Sequence, residues 1–166
     1  MMTRLLSRAI AGAILLAALA VAGAFVGSGV WNWAVAALFV AGFWLSVLRT
    51  RSEAVSGLGL LALTGLGLMG VYRQASPLLL LTGMTAGLAA WDLVHFRNEV
   101  ESTDDRRDED VLVGNHLRRL AIVLAAGWAA GFLALVVRVH LSLIWALLLG
   151  VAGIYGLSRT IQAARR

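Results

Sequence analysis

The chain contains no cysteine, a single proline (Pro77) and no lysine, so all 14 of its basic residues are arginine. The first absence excludes disulfides and thiolate metal sites. The second leaves little from which to build the broken helices that many secondary transporters use. The third, beside an abundance of Ala, Leu, Val and Gly, reads as the codon usage of a GC-rich genome. Charge is scarce as well, at 14% of residues, against about one quarter in a soluble domain. No H-E-x-x-H, G-x-S-x-G, Walker A or Rossmann fingerprint occurs. Histidine boxes and the acidic-and-glycine pattern of lipid-head-group transferases are missing too. No cofactor is therefore expected. Nor is a nucleic-acid partner, despite the formal charge of +5, because the arginines flank hydrophobic segments.

What is present is long apolar runs, with 60% of residues hydrophobic. Six segments stand out, at 9–26, 30–48, 54–72, 77–96, 117–137 and 141–158. Each approaches the ~20 residues that cross ~30 Å of hydrocarbon at 1.5 Å per residue. Each must be helical, because an open strand in lipid leaves its backbone groups unsatisfied. The local start signals agree. Thr50-Arg51-Ser52-Glu53 fits a capping box for the third helix, and Ser76-Pro77 supplies an N-cap with proline at the first helical position of the fourth. Very short connections at 27–29, 73–75 and 139–140 force antiparallel neighbours.

Arginine placement gives an orientation. With the N-terminus in the cytoplasm, the inner side receives Arg4, Arg8, Arg49, Arg51, Arg97, Arg106, Arg107, Arg118, Arg119, Arg159, Arg165 and Arg166, and the outer side only Arg73 and Arg138. That asymmetry follows the positive-inside rule and depends on the count of six spans. Trp31 and Trp33 fall at the outer end of the second helix, where amphipathic rings belong. The start of the chain also resembles a signal peptide, with Arg4, Arg8 and an Ala22-Gly23-Ala24 site. Its apolar run is longer than a signal core, so retention as a first span is expected. The expected fold is an all-α polytopic membrane protein. It is one domain over 1–166, an antiparallel bundle of six transmembrane helices with both termini cytoplasmic, in a prokaryotic plasma membrane. No internal repeat is visible.

Small residues supply the close approaches that helices in lipid need. Gly23 and Gly27, Gly83 and Gly87, and Gly127 and Gly131 each show small-x-x-x-small spacing. Further narrow seams are Ala9, Ala13, Ala17, Ala20 and Ala24; Ser56, Gly59, Ala62 and Gly65; and Gly150, Gly153 and Gly156. Such spacing marks either a dimerisation face or ordinary packing within the bundle, and in an Ala/Gly-rich chain ordinary packing is the simpler reading.

One polar stripe runs through the apolar part. Thr82, Thr85, Ala89, Asp92, Phe96 and Glu99 recur three and four apart on the fourth helix, with His95 beside them. An ionisable residue in such a segment should face the bundle or a wet crevice. Asp92 lies five residues before Arg97, which marks the inner interface, so its penalty is partial. Candidate ion-pair partners are Arg49, Arg51, His116, Arg118 and Arg119. Two readings follow. Asp92 is a structural clamp between helices, or Asp92, His95, Glu99 and His116 form a polar site that binds a divalent metal or relays protons. The clamp is the simpler. His140 falls on the opposite side with Arg138 and reads as a solvated interfacial residue.

The one long connection, 97–116, holds Glu99, Glu101, Asp104, Asp105, Asp108, Glu109 and Asp110, interrupted by Arg106 and Arg107. Mixed charge runs are usually solvated loops. A helix leading into the fifth span through Val111, Leu112 and Val113, with Gly114 as its weak point, would instead project a hairpin. The functional expectation is a non-catalytic structural or assembly component of a membrane complex, with the lipid bilayer, a membrane-protein partner or a second copy as partners. The alternative is a small transporter or proton-coupled carrier using the Asp92/His95 stripe. A further alternative is an intramembrane enzyme with a cytoplasm-facing Asp/His/Glu site.

Overall fold

The computed structural model describes residues 2–47, 53–102 and 109–137. They are all-α, in five helices: α1 (Met2–Gly27), α2 (Trp31–Val47), α3 (Glu53–Tyr72), α4 (Pro77–Ser102) and α5 (Glu109–Val136). The segment expected to be a sixth helix, 141–158, lies outside the described residues, as do His140, Arg49, Arg51 and the Thr50–Ser52 part of the proposed capping box. The chain divides into two compact units. The first, residues 1–135, carries α1–α4 and all but the last residue of α5. Only the first two residues of the second unit, 136–166, are described.

Helices α1–α4 form an antiparallel bundle in chain order, in which α1 packs mainly on α4 and α2, while α3 packs on α2 and α4. Two tight turns of the same design make this order possible. At the end of α1, Val30 N–H donates to the Phe25 carbonyl and Gly29 N–H to Val26, with Gly29 at φ +77°. At the end of α3, Ala75 N–H donates to Gly70 and Gln74 N–H to Val71, with Gln74 at φ +55°. Both are Schellman caps, which satisfy the last carbonyls of a helix and reverse the chain. Ala75, following the second cap, is buried with Ala24 and Leu80. This is the tight-turn end of the bundle. The opposite end, holding the start of α1 and the end of α4, is the terminal end.

Inside the bundle, alanines predominate around Ile10, Ile14, Val21, Phe25, Trp44 and Leu63. Large apolar side chains instead crowd the outside, among them Leu16, Leu19, Phe39, Phe43, Leu61, Leu68 and Val71. Small residues within and large ones without is the arrangement that lipid favours. Among the described residues, three helical stretches are long and apolar enough to cross a membrane: Leu6–Gly27, Pro77–Val100 and Leu112–Val136.

The glycine pairs resolve as packing devices in part. A Cβ on Gly83 would stand 2.6 Å from Val21 Cγ2 and 3.1 Å from the Ala17 carbonyl oxygen, and one on Gly87 would meet Leu63. A Cβ on Gly131 would stand 2.7 Å from Leu81 Cδ1, while one on Gly23 would make only an ordinary 3.8 Å contact with Leu79. Gly27 and Gly127 face open space. On α3 the expected seam is half right. Ser56 and Gly59 are buried, but Ala62 and Gly65 are exposed, because the inward stripe advances to Leu63, Leu66 and Gly70. On α1, Ala17, Ala20 and Ala24 are buried as expected, and Ala9 is exposed.

The expected loop 97–116 is mostly helix. α4 runs on to Ser102, and α5 begins at Glu109 and passes through Gly114 unbroken. Charged side chains end an apolar span but not a helix, since Arg and Glu are good helix formers. Only 103–108 lies between the two helices.

Candidate functional site: the seam between α4 and α5

The α4 stripe is the surface on which α5 rests. Near the tight-turn end, a Gly131 Cβ would touch Leu81, and Trp128 Nε1 donates to Thr82 Oγ1 at 3.1 Å. The Thr82 hydroxyl in turn donates to the Leu78 carbonyl at 2.9 Å. Towards the terminal end, His116 Nε2 lies 2.8 Å from Asp92 Oδ2. The Phe96 ring stacks on the same imidazole with centroids 3.8 Å apart and an interplanar angle of 0°. As α4 advances from 81 to 96, α5 retreats from 131 to 116, so the two helices form one antiparallel hairpin in constant register.

On α5 the side chains that are not fully exposed recur at Val113, His116, Leu120, Leu124, Trp128 and Gly131. That spacing of three and four is one narrow helical stripe. From Leu117 onward α5 has no buried residue at all. The helix is therefore attached along a single line, whose polar fasteners are Asp92–His116 and Thr82–Trp128.

The chemistry of the first fastener follows from its atoms. An ionised carboxylate has only acceptors, so the imidazole must carry a proton on Nε2 to bond it. Phe96 covers one face of the ring. The pair is partly open, with side-chain exposures of 28% for His116 and 38% for Asp92. Among the described residues, no group of three or more His, Asp or Glu is placed to hold a metal ion.

The structure thus brings together Asp92 and His116 from the expected set. His95 is exposed and stacks on Trp91, with centroids 5.9 Å apart and planes at 14°. Glu99 is exposed one turn beyond Phe96. Arg118 and Arg119 are exposed on α5, and among the described residues the hydrogen-bond partner of Asp92 is His116. Arg97, expected to mark the inner interface, is only 8% exposed. It continues the buried α4 stripe of Ala90, Leu93 and Val94 into the terminal end. Trp128 and Phe96 are seam residues that sequence reasoning gave no role across helices. Their signal exists only once the α4–α5 register is known. No protein-family model matches the chain, and neither a curated protein nor a solved structure is detectably similar to it.

Proposed function

We propose that the chain is a non-catalytic helical membrane component, a structural or assembly element of a larger complex in a prokaryotic plasma membrane. In this reading it has six spans, with 141–158 as the last, and both termini are cytoplasmic. The terminal end of the bundle is then the inner end. The arginine asymmetry of the sequence supports that orientation. The exposure of Trp31 and Tyr72 at the tight-turn end fits an outer aromatic belt, Tyr72 being 80% exposed. The 17 residues of α2 extend roughly 26 Å at 1.5 Å per residue, close to the hydrocarbon thickness.

The observation that carries the reading is the contact between Asp92 and His116. It spends the acid of the polar stripe on holding α5 to α4, where a carrier would turn it towards a path through the bundle. The long apolar flank of α5, which has no buried residue from Leu117 onward, faces lipid or another helix, whether the last span of this chain or a helix of a partner. Purification of the tagged chain in mild detergent tests the proposal. A stoichiometric membrane-protein partner or a defined homo-oligomer is expected. A bare monomer that carries a solute or proton flux in vesicles would overturn it.

A further inference from the structure

Buried polar atoms that lack a partner gather at one end of the α1–α4 bundle. Among the described residues they include Trp44 Nε1, Ser56 Oγ and both amide atoms of Asn98. Trp44 is 2% exposed and Ser56 5% exposed. The contrast with other hydroxyls is sharp. Ser28, Ser46, Thr64, Thr82 and Thr85 all donate to a carbonyl of their own helix. Buried polar groups in folded proteins are nearly always satisfied by protein or by ordered water.

The three groups also line up. The Trp44 ring lies on Gly59, whose Cβ would stand 2.6 Å from Trp44 Cδ2. Ser56 is one turn nearer the terminal end on the same buried face of α3. The contacts Gly70–Leu80, Gly67–Met84 and Leu63–Gly87 fix the antiparallel register of α3 and α4. That register sets Ser56 level with Val94 and places Asn98 one further turn out. From Asn98 to Trp44 the polar groups therefore descend roughly 10 Å at 1.5 Å per residue. Beyond Gly59 the buried faces are apolar: Leu63 and Leu66 on α3, Ile14 and Val21 on α1.

We infer that the terminal end of the bundle holds a blind hydrated crevice, in which bound waters bridge Asn98, Ser56 and Trp44 and which stops at the indole. The donors and acceptors suit water. The indole donates, the hydroxyl does both, and the amide offers two donors and an acceptor. A buried water needs two to four such partners. The crevice opens on the cytoplasm, a statement of side that rests on the orientation proposed above.

The chain has no cysteine of its own, so Ser56→Cys and Leu63→Cys in the full-length protein report on single sites. Each is treated in sealed vesicles, of either orientation, with a charged, membrane-impermeant methanethiosulfonate, which needs a hydrated thiolate. Ser56→Cys is expected to react from the cytoplasmic face at least about tenfold faster than Leu63→Cys. Reaction from the opposite face only would keep the crevice and overturn the orientation. Equal, negligible reaction at both positions would overturn the crevice. A second measurement needs no cysteine. The indole N–H of Trp44, assigned by its loss in Trp44→Phe, should show magnetisation exchange with water in detergent micelles. Its absence there, with the other indoles at the interfaces showing it, overturns the inference.

Discussion

Thr82 and Trp128, 46 residues apart in the chain, share a 3.1 Å hydrogen bond in which the indole donates to a hydroxyl. That hydroxyl is already donating to the carbonyl one turn back. Thr82 thus serves its own helix with its proton and the neighbouring helix with its lone pair.

Replacing Thr82 by Val keeps the shape and removes the acceptor, leaving the Trp128 N–H in apolar surroundings. Interhelical hydrogen bonds in membranes are worth about 0.6 kcal/mol on average and up to ~1.7. Thr82→Val is expected to lower stability by about 1 kcal/mol in a detergent unfolding titration, and Thr82→Ser to leave it nearly unchanged. A loss in Thr82→Ser with none in Thr82→Val would mean that the methyl group, and not the hydroxyl, matters.

The glycines separate by what surrounds them. Gly83→Val drives a side chain against Val21 and the Ala17 backbone, so a loss of about 2–3 kcal/mol is expected from overpacking. Gly127 faces open space, and Gly127→Ala is expected to raise stability by up to about 1 kcal/mol through helix propensity. Size-exclusion chromatography with light scattering gives the check on the second variant. A change in its oligomeric state would assign Gly127 to an interface between chains.

Gln74 occupies a left-handed conformation at φ +55°, is exposed and closes the cap of α3. A residue with a Cβ is strained there by about 1 kcal/mol or more, whereas glycine is not. Gln74→Gly is expected to raise the unfolding midpoint by an amount equivalent to about 0.5–1 kcal/mol, less the cost of greater freedom in the unfolded chain. No gain would show that this turn relaxes in the bilayer or micelle.

The starts of α2 and α4 were legible because turns and caps are local, whereas α1 begins at Met2, seven residues before the apolar run expected from 9. Gly29 and Ser76-Pro77 signal reversal without reference to anything distant. The far ends of α4 and the near end of α5 were not, because an apolar run ends where lipid ends, and a helix of Arg, Asn and Glu continues into water. The face bearing Asp92 followed from helical spacing alone. Which neighbour answers it did not. His95 and Phe96 stand on either side of the acid, and only the approach line of α5 decides that Phe96 enters the seam while His95 turns outward to Trp91. Trp44, Ser56 and Asn98 left no pattern, since each comes from a different helix.

The central claim is that Asp92 fastens helices together. A double-mutant cycle of Asp92→Ala and His116→Ala tests it most directly, with unfolding free energy and recovery of the proposed membrane partner as the two readouts. The account predicts a coupling of about 1–2 kcal/mol between the two positions, with partner recovery intact in the double variant. Strictly additive losses, accompanied by disappearance of a flux or a metal uptake in a folded Asp92→Asn protein, would contradict it.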